Sequence, residues 1–287
     1  MDTTRLSPLE SLARAYVRAV PEQPADDGLF GPGSMVWRVN RDRCFPLAGM
    51  RSLMVQALHP LAMAGVAQHS GWKQDPFGRL AATSSYLLTT TYGDTASALA
   101  AAAWVRKIHV HVRGVDSQTG LPYSAEDPTL LLWVHAAMVE SIISVAQRYG
   151  RPLEAAGADR YVAEMVRFAE IVGVPRQDVP TTVASLRSYI ESVELRQATD
   201  AAKEAIAIVL DPPDLDDELR DLWGDLGQVA VGTLPEWARE MYGFDAPPEE
   251  LMERESVRQL LGALDLAFES IPGVIETRQR IELRMRA

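Results

Sequence analysis

The feature that most constrains the fold is a signal for the start of a helix, in which an aspartate is followed directly by a proline. It occurs at Asp75-Pro76 and again at Asp127-Pro128. The aspartate side chain can accept a hydrogen bond from a free backbone N–H of the first turn, and proline is tolerated at the first helical position. Each apolar segment that follows runs to a glycine, Gly93 or Gly150, a common residue at a helix end. The two signals therefore predict two long helices.

Apolar residues recur at helical spacing over most of the remaining chain. Further helices are predicted at 7–20, 47–66 with a break or kink near Pro60, 94–114 with Gly114 as its end, 154–172, 182–195, 201–209, 215–232, 235–242, 249–268 and 273–285. No convincing alternation typical of a strand appears. The predicted fold class is all-α, with an N-terminal helix and irregular arm at 1–46 and a helical domain at 47–287 that forms one structural unit with the arm.

Length, charge and cysteine content exclude several kinds of site. A chain of 287 residues is long enough to enclose a pocket. Cys44 is the only cysteine, so the chain has no internal disulfide and no metal site built on several cysteines. The formal charge of −11 argues against nucleic acid or an anionic membrane as the main partner, because both attract clustered lysine and arginine.

The sequence favours a cytoplasmic protein without a membrane span. Residues 1–6 lack the basic and apolar order of a signal peptide. The longest apolar run, from Thr129 to Ala146, contains His135 and Glu140 and is short for a bilayer span. We therefore expect this run to be a core helix.

All five histidines lie between residues 50 and 148, on segments that are otherwise apolar. They are His59, His69, His109, His111 and His135. Because His109 and His111 are two residues apart, on a helix they point in roughly opposite directions and cannot bind one metal ion together.

His109 is the candidate axial ligand of a haem iron. Val105 and Val112 place it on the apolar side of its segment, and Arg106 and Arg113 lie about one turn before and after it. A neutral imidazole in apolar surroundings suits haem, since the porphyrin supplies four nitrogen ligands and needs one protein donor. Arg106 could pair with a haem propionate. A hydrogen-bonded core histidine is the simpler interpretation of the same pattern.

Four further residues have candidate roles. Arg79 and Thr83 are four residues apart and share a helix face, so together they could bind an anionic group or dioxygen. A surface ion pair and a hydroxyl bonded to its own helix are the common alternatives. His135 could orient His109 through a hydrogen bond, or could only bond a backbone carbonyl. His69 is expected to fix the turn that follows its helix.

Enzyme classes with strong sequence signatures receive no support. The chain has no phosphate-binding glycine loop, no nucleotide-binding fingerprint, no Gly-x-Ser-x-Gly elbow and no His-Glu-x-x-His zinc motif. No sequence motif of this chain therefore supports a serine hydrolase.

The order of the motifs along the chain resembles that of one family, the rubber oxygenase and MpaB-type haem oxygenase domain. The motifs are Leu58-His59-Pro60, His69-Ser70, Asp75-Pro76 with Arg79 and Thr83, Val105-Arg106 with His109 and Val112-Arg113-Gly114, Tyr123, Asp127-Pro128 and Trp133-Val134-His135-Ala136. The resemblance extends roughly from Met35 to Tyr242.

This resemblance implies an all-helical fold with a globin-like core, one b-type haem, and dioxygen-dependent cleavage of carbon–carbon double bonds in apolar isoprenoid chains. It implies that His109 binds the iron, that Arg79 and Thr83 are catalytic residues beside the haem, and that His135 supports the site. The implied partners are dioxygen and a small hydrophobic, isoprenoid- or lipid-like substrate. The chain could also pair as a homodimer.

One residue departs from the family pattern. Rubber-cleaving members have a lysine immediately before the threonine, where this chain has Ala82, so rubber itself is not the expected substrate. Two alternatives stay open. One is a helical binding protein that holds an apolar ligand without haem, and the other is a non-haem metal enzyme that uses two or more of His59, His69, His109 and His135.

Overall fold

The computed structural model describes residues 8–213, 215 and 217–287, apart from the side chains of Pro8 and Glu218. In these ranges the chain forms fourteen α-helices and one pair of short strands. The helices are α1 (Pro8–Ala19), α2 (Met35–Asn40), α3 (Phe45–Ala57), α4 (Pro60–His69), α5 (Pro76–Tyr92), α6 (Thr95–His109), α7 (Pro128–Tyr149), α8 (Ala155–Val172), α9 (Val183–Ser192), α10 (Asp200–Leu210), α11 (Asp217–Thr233), α12 (Glu236–Tyr242), α13 (Arg254–Glu269) and α14 (Val274–Arg286). The predicted all-α fold is confirmed, while residues 1–7, which precede or begin the predicted first helix, lie outside the described ranges.

The long helices begin at the capping residues that the sequence indicates. The Asp75 carboxylate accepts a hydrogen bond from the Gly78 N–H at 2.9 Å and starts α5. The Asp127 carboxylate accepts one from the Thr129 N–H at 2.8 Å and starts α7. Asp94 caps α6 in the same way. These three helix starts are confirmed.

The predicted break near Pro60 is also confirmed. α3 ends at Ala57, and α4 begins at Pro60 with His59 as its N-cap residue. Proline has no backbone N–H and cannot continue the preceding helix, so the apolar segment divides into two helices that meet at a corner.

The prediction of an irregular arm was wrong for its second half. That half contains α2 and the start of α3. The Ser34 hydroxyl accepts a hydrogen bond from the Trp37 N–H at 3.1 Å and caps α2. The helix has only six residues, too few for a periodic pattern to be recognised between the neighbouring glycines and prolines.

The irregular first half of the arm is held by helices of the same chain. Arg167 on α8 donates to the Leu29 carbonyl at 2.6 Å. The Asp26 carboxylate accepts a hydrogen bond from the Thr95 N–H at 2.8 Å. The arm therefore ties the start of α6 to α8.

Gly114 does not end a helix, and that prediction was wrong. α6 ends at His109, and Gly114 lies in strand β1 (Arg113–Val115), which pairs antiparallel with β2 (Pro122–Ser124). Gly114 stands opposite Tyr123, and a Cβ at Gly114 would lie only 2.8 Å from the Tyr123 hydroxyl oxygen. The glycine makes room for the tyrosine. The expectation of no strand was wrong for this one hairpin.

The centre of the core is the packing of α3 on α7. Trp133 on α7 is fully buried, and its indole N–H donates to the Gln56 carbonyl at 3.0 Å. Because this hydrogen bond satisfies the indole, the whole ring can contribute apolar burial without the cost of an unpaired donor.

A buried ion pair joins the same two helices. Arg51 on α3 donates to the Glu140 carboxylate on α7 at 2.6 Å, and only 2% of the Arg51 side chain is exposed. The same guanidinium donates to the Ser141 hydroxyl at 2.6 Å and to the Thr233 carbonyl at 3.0 Å. Arg51 thus connects α3, α7 and the end of α11.

α7 is long and apolar enough to cross a membrane by length and composition alone. However, 67% of its apolar window is buried inside the protein. A buried core helix meets the same criteria, and the packing of α7 on α3 is that of a core helix.

Candidate functional site

One face of α5 carries the two candidate residues of that helix. Arg79, Thr83 and Tyr86 lie at intervals of four and three residues, so they share this face. The Thr83 hydroxyl donates to the Arg79 carbonyl at 3.1 Å. This is the bond between the hydroxyl and its own helix that was one of the alternatives considered from the sequence. The hydroxyl oxygen remains available to accept a hydrogen bond.

The guanidinium of Arg79 has no hydrogen-bond or ion-pair partner within the described ranges. The side chain is exposed, yet the surrounding protein desolvates it enough to lower the pKa of the guanidinium. Arginine nevertheless stays charged at neutral pH. The surface ion pair considered from the sequence is absent from the described structure, and Arg79 is free to bind an anion.

α6 presents a narrow buried stripe to the rest of the molecule. The stripe consists of Ala98, Ala102, Val105 and His109, spaced by four, three and four residues. Ala98 and Ala102 are fully or almost fully buried, and their small side chains allow α5 and α8 to approach α6 closely. His109 lies at the end of the stripe, in the last turn.

The imidazole of His109 is half-buried and makes no hydrogen bond among the described residues. Its pKa is lowered chiefly by desolvation and further by the positive charge of Arg79, while Glu126 opposes the shift. The ring is therefore neutral at neutral pH, with a nitrogen lone pair available to a ligand or metal. The simpler alternative, a hydrogen-bonded core histidine, does not describe His109.

His135 on α7 is buried against Phe168 of α8. The two rings stack with their centroids 6.1 Å apart, and Nδ1 of His135 is buried without a hydrogen-bond partner. Burial lowers the pKa of His135 to about 4. The hydrogen bonds expected from the sequence, to His109 or to a backbone carbonyl, are not formed among the described residues.

Tyr86 and Phe168 belong to the site and were not identified from the sequence. The two rings lie 5.4 Å apart, and the Tyr86 hydroxyl is buried without a partner. Burial raises the pKa of Tyr86, so the phenol keeps its proton at neutral pH. The spacing of Tyr86 from Arg79 along α5 was the available signal, whereas the contact with Phe168 depends on how α8 packs.

The structure brings some of the predicted residues together and separates others. Arg79 and Thr83 are hydrogen-bonded, and the charge of Arg79 acts on His109. His135 stacks on Phe168, and Phe168 in turn contacts Tyr86 on the α5 face. Arg106 is exposed in the last turn of α6 and has no ion-pair partner among the described residues.

The remaining histidines have other environments. A ring nitrogen of His69 lies 3.1 Å from the Tyr123 hydroxyl, which donates to Gln68. His69 therefore contacts the β1–β2 hairpin, and not the turn after its own helix as the sequence predicts. His59 packs against Trp133, with ring centroids 5.7 Å apart, and desolvation lowers its pKa. His111 is exposed beyond the end of α6.

The donor set suits a single-ligand cofactor better than a metal ion held by protein alone. No group of three or more His, Cys, Asp or Glu side chains comes together to hold a metal within the described ranges. A non-haem centre with three or more such ligands is therefore not formed by the described residues. An unbonded neutral imidazole at His109 and unpaired cations at Arg79 and Arg106 are compatible with haem, because a guanidinium can bind a propionate.

Two recesses of the surface lie away from these residues. One of about 400 Å³ is lined by Arg148, Gly232 and Met252, among others. The other, of about 490 Å³, is lined by Ala163, Val166 and Arg176, among others. Neither of these two recesses is lined by a residue of the candidate site.

Comparison with known proteins identifies a family that matches most of the chain. The family described as "ER-bound oxygenase mpaB/B'/Rubber oxygenase, catalytic domain" matches residues 37–265, well over half of the chain. No curated protein and no solved structure matches the chain. The matched range includes α5, α6, α7 and α8, and hence every residue of the candidate site.

Proposed function

Because the chain belongs to the mpaB and rubber oxygenase catalytic-domain family, we propose that it is a haem b-dependent oxygenase that acts on a hydrophobic, isoprenoid- or lipid-like substrate. When bound, haem b would supply the redox chemistry by which dioxygen cleaves a carbon–carbon double bond. The protein supplies binding, orientation and electrostatics.

The observation that carries the proposal is the state of His109. Its imidazole lies on the inner stripe of α6, is neutral at neutral pH and has no hydrogen-bond partner among the described residues. The ring is half-buried, so its nitrogen is neither engaged by another side chain nor closed off from a ligand. A neutral imidazole with a free nitrogen lone pair could bind iron, which supports His109 as the residue that would hold the haem.

The charged residues around His109 support binding of propionates. Arg79 and Arg106 lack carboxylate partners within the described structure, and a guanidinium can bind a carboxylate through two parallel hydrogen bonds. Arg79 also disfavours protonation of His109, since like charges repel. Both effects keep the imidazole ready to bind iron.

Two neutral groups could orient a ligand that carries oxygen. The Thr83 hydroxyl oxygen can accept a hydrogen bond, because its proton is used by the Arg79 carbonyl. The Tyr86 phenol keeps its proton and has no partner, so it can donate one. We assign the positioning role to Thr83 and Arg79, with Tyr86 as an additional donor.

At position 82 this chain has an uncharged alanine, whereas the rubber-cleaving members that it resembles have a lysine. Ala82 is exposed beside Thr83 on the same side of α5. A methyl group has no charge and no hydrogen-bond donor, so a polar contact that lysine would make is absent. The proposed substrate is therefore a smaller isoprenoid or lipid, not rubber.

The test of this proposal is the absorption spectrum of purified protein. The wild-type protein should carry haem with a Soret band, and His109→Ala should lower haem occupancy by more than about tenfold, since loss even of a group that supports a ligand costs that much. His111→Ala is the matched control, because His111 is exposed only two residues away. It should keep wild-type occupancy.

Two outcomes would contradict the proposal. Full haem occupancy in folded His109→Ala, with an unchanged circular dichroism spectrum, would exclude His109 as the ligand. A colourless wild-type protein that refuses added haem but binds apolar ligands would favour the helical binding protein, which the alanine at position 82 also allows.

A further inference from the structure

The outer face of α6 is apolar and exposed. It consists of Leu99, Ala100, Ala103, Trp104, Lys107 and Ile108, and all six side chains are exposed. Trp104 is 62% exposed, Leu99 47% and Ile108 45%. Large apolar side chains grouped in this way on a soluble surface commonly mark a place where the protein meets a partner.

The geometry of the helix separates this outer face from the buried stripe. Successive residues of an α-helix turn by about 100°, which places Ala100 and Lys107 opposite the buried stripe, Trp104 and Ile108 together on one flank of the helix, and Leu99 on the other flank. α6 is thus apolar on both sides. A helix that is apolar all round is normally covered all round, whereas the protein covers only the inner side of α6.

The charge of this region has the opposite sign to that of the whole chain. The protein carries 39 acidic residues against 28 lysines and arginines. Between Asp94 and Asp116, however, there is no acidic residue, and the segment contains Arg106, Lys107 and Arg113. The side chains of all three are exposed. The charged residues of this segment are therefore all basic, and the nearby acidic side chain is the exposed Glu126, which acts on His109 from the end of the following hairpin.

We propose that the outer face of α6, with Arg113 of the following hairpin, docks onto the anionic headgroup region of a lipid membrane. Tryptophan and lysine suit that interface, because the indole sits at the boundary between headgroups and acyl chains while a lysine stem lies along apolar surface with its ammonium group in water. Lys107 already extends over the Trp104 ring, with Nζ 5.8 Å from its centroid. Ile108, one turn after Trp104, enters the acyl boundary beside it.

A second copy of the chain fits the same face less well. A two-fold interface places the same surface patch on both subunits, so the positive charges of Lys107 and Arg113 would meet their own copies. An anionic lipid surface instead attracts them, by a factor of about five in binding for each basic residue. The net charge of −11 argued against an anionic membrane as a partner. That argument concerns the whole chain, whereas the charged side chains of α6 and Arg113 are basic.

The proposal is tested by sedimentation of the full chain with vesicles of phosphatidylcholine containing phosphatidylserine. The protein should bind these vesicles, and much less well those of phosphatidylcholine alone. Lys107→Ala and Arg113→Ala should each weaken binding about fivefold, and Trp104→Ala and Ile108→Ala about tenfold. Added salt should reduce the charge-dependent part.

Two matched controls lie elsewhere on the surface. Leu266 on α13 is 70% exposed, so Leu266→Ala removes as much apolar surface as Ile108→Ala. Arg187 on α9 is exposed, so Arg187→Ala removes one positive charge. Both variants should bind vesicles like the wild-type protein. Because all these positions are exposed, the variants should fold normally.

Three results would overturn the proposal. These are absence of vesicle binding by the wild-type protein, equal effects of the α6 variants and the controls, and a concentration-dependent dimer that Ile108→Ala converts to a monomer. The last result would show that a second copy covers the face. None of these measurements depends on haem, so this proposal and the oxygenase proposal can fail separately.

Discussion

At the scale of single residues, burial sets the charge of His135. The folded protein holds the pKa of its imidazole at about 4, against an ordinary value of 6.5. Below pH 6.5 the His135 imidazole binds a proton in the unfolded chain, whereas in the folded protein it stays neutral until the pH approaches about 4. Stability associated with this residue is therefore fully present above the ordinary pKa and is lost as the pH falls toward 4.

We expect His135→Leu to reduce the acid sensitivity of the fold. Leucine cannot take up a proton in either state, so the variant should avoid a loss that amounts to roughly 2 kcal/mol at about pH 5 in the wild-type protein. The measurement is the free energy of unfolding by urea at about pH 7.5 and about pH 5. An equal loss between the two pH values in both proteins would contradict the proposed burial of an unprotonated His135.

Single residues also show how far the site could be predicted. Arg79, Thr83 and His109 could be chosen as candidates from the sequence, because helical periodicity alone shows which side of α5 or α6 each residue occupies. Tyr86 and Phe168 were missed, although Tyr86 follows on the same face of α5. Their importance comes from ring contacts between helices, and from a hydroxyl left without a partner. Neither property is encoded in local spacing.

At the scale of secondary-structure elements, the β1–β2 hairpin depends on one glycine. Gly114 faces Tyr123, which is buried and hydrogen-bonded to Gln68 and His69. The ring therefore cannot move aside without breaking those contacts. A side chain at Gly114 would crowd the tyrosine and disturb the connection between α6 and α7.

We expect Gly114→Ala to destabilise the protein by about 1–3 kcal/mol, the usual cost of overpacking a filled site. The control is Gly262→Ala in α13, where a Cβ would meet no atom within 4 Å. Alanine should stabilise that helix by about 0.5–1 kcal/mol. Thermal unfolding of both variants measures the difference, and a neutral Gly114→Ala would show that the hairpin adapts at little cost.

Helix boundaries were predictable where a local signal decides them. Asp75, Asp94 and Asp127 cap their helices through bonds to residues two or three positions later, so sequence alone suffices. Gly114 was misread because its role depends on Tyr123 in another strand. The short helix α2 was missed because six residues give too little periodicity.

At the scale of the whole molecule, Arg51 is the charged centre of the core. It contacts Glu140 and Ser141 on α7 and the Thr233 carbonyl at the end of α11. A buried ion pair adds little net stability, because both charges lose their hydration. Removal of one partner, however, leaves the other charge buried and unpaired.

We expect Arg51→Met to lower the free energy of unfolding by about 3–5 kcal/mol. The double variant Arg51→Met/Glu140→Gln should recover part of that loss, because it no longer buries an isolated carboxylate. Urea denaturation of both variants tests this coupling. If Glu140→Gln brings no recovery in the Arg51→Met background, the two charges are not energetically coupled.

The short distance across α6, from its outer face to His109, has a consequence for the kinetics. The helix bears His109 on its inner side and Trp104 on its outer side, and an α-helix with its side chains is about 10 Å across. If the outer side rests on lipid, the imidazole would lie about one helix diameter from the bilayer, and an apolar substrate dissolved in the lipid would be concentrated close to the site. Turnover would then follow the mole fraction of substrate within the lipid, and diluting the vesicles with buffer would leave the rate per bound enzyme unchanged.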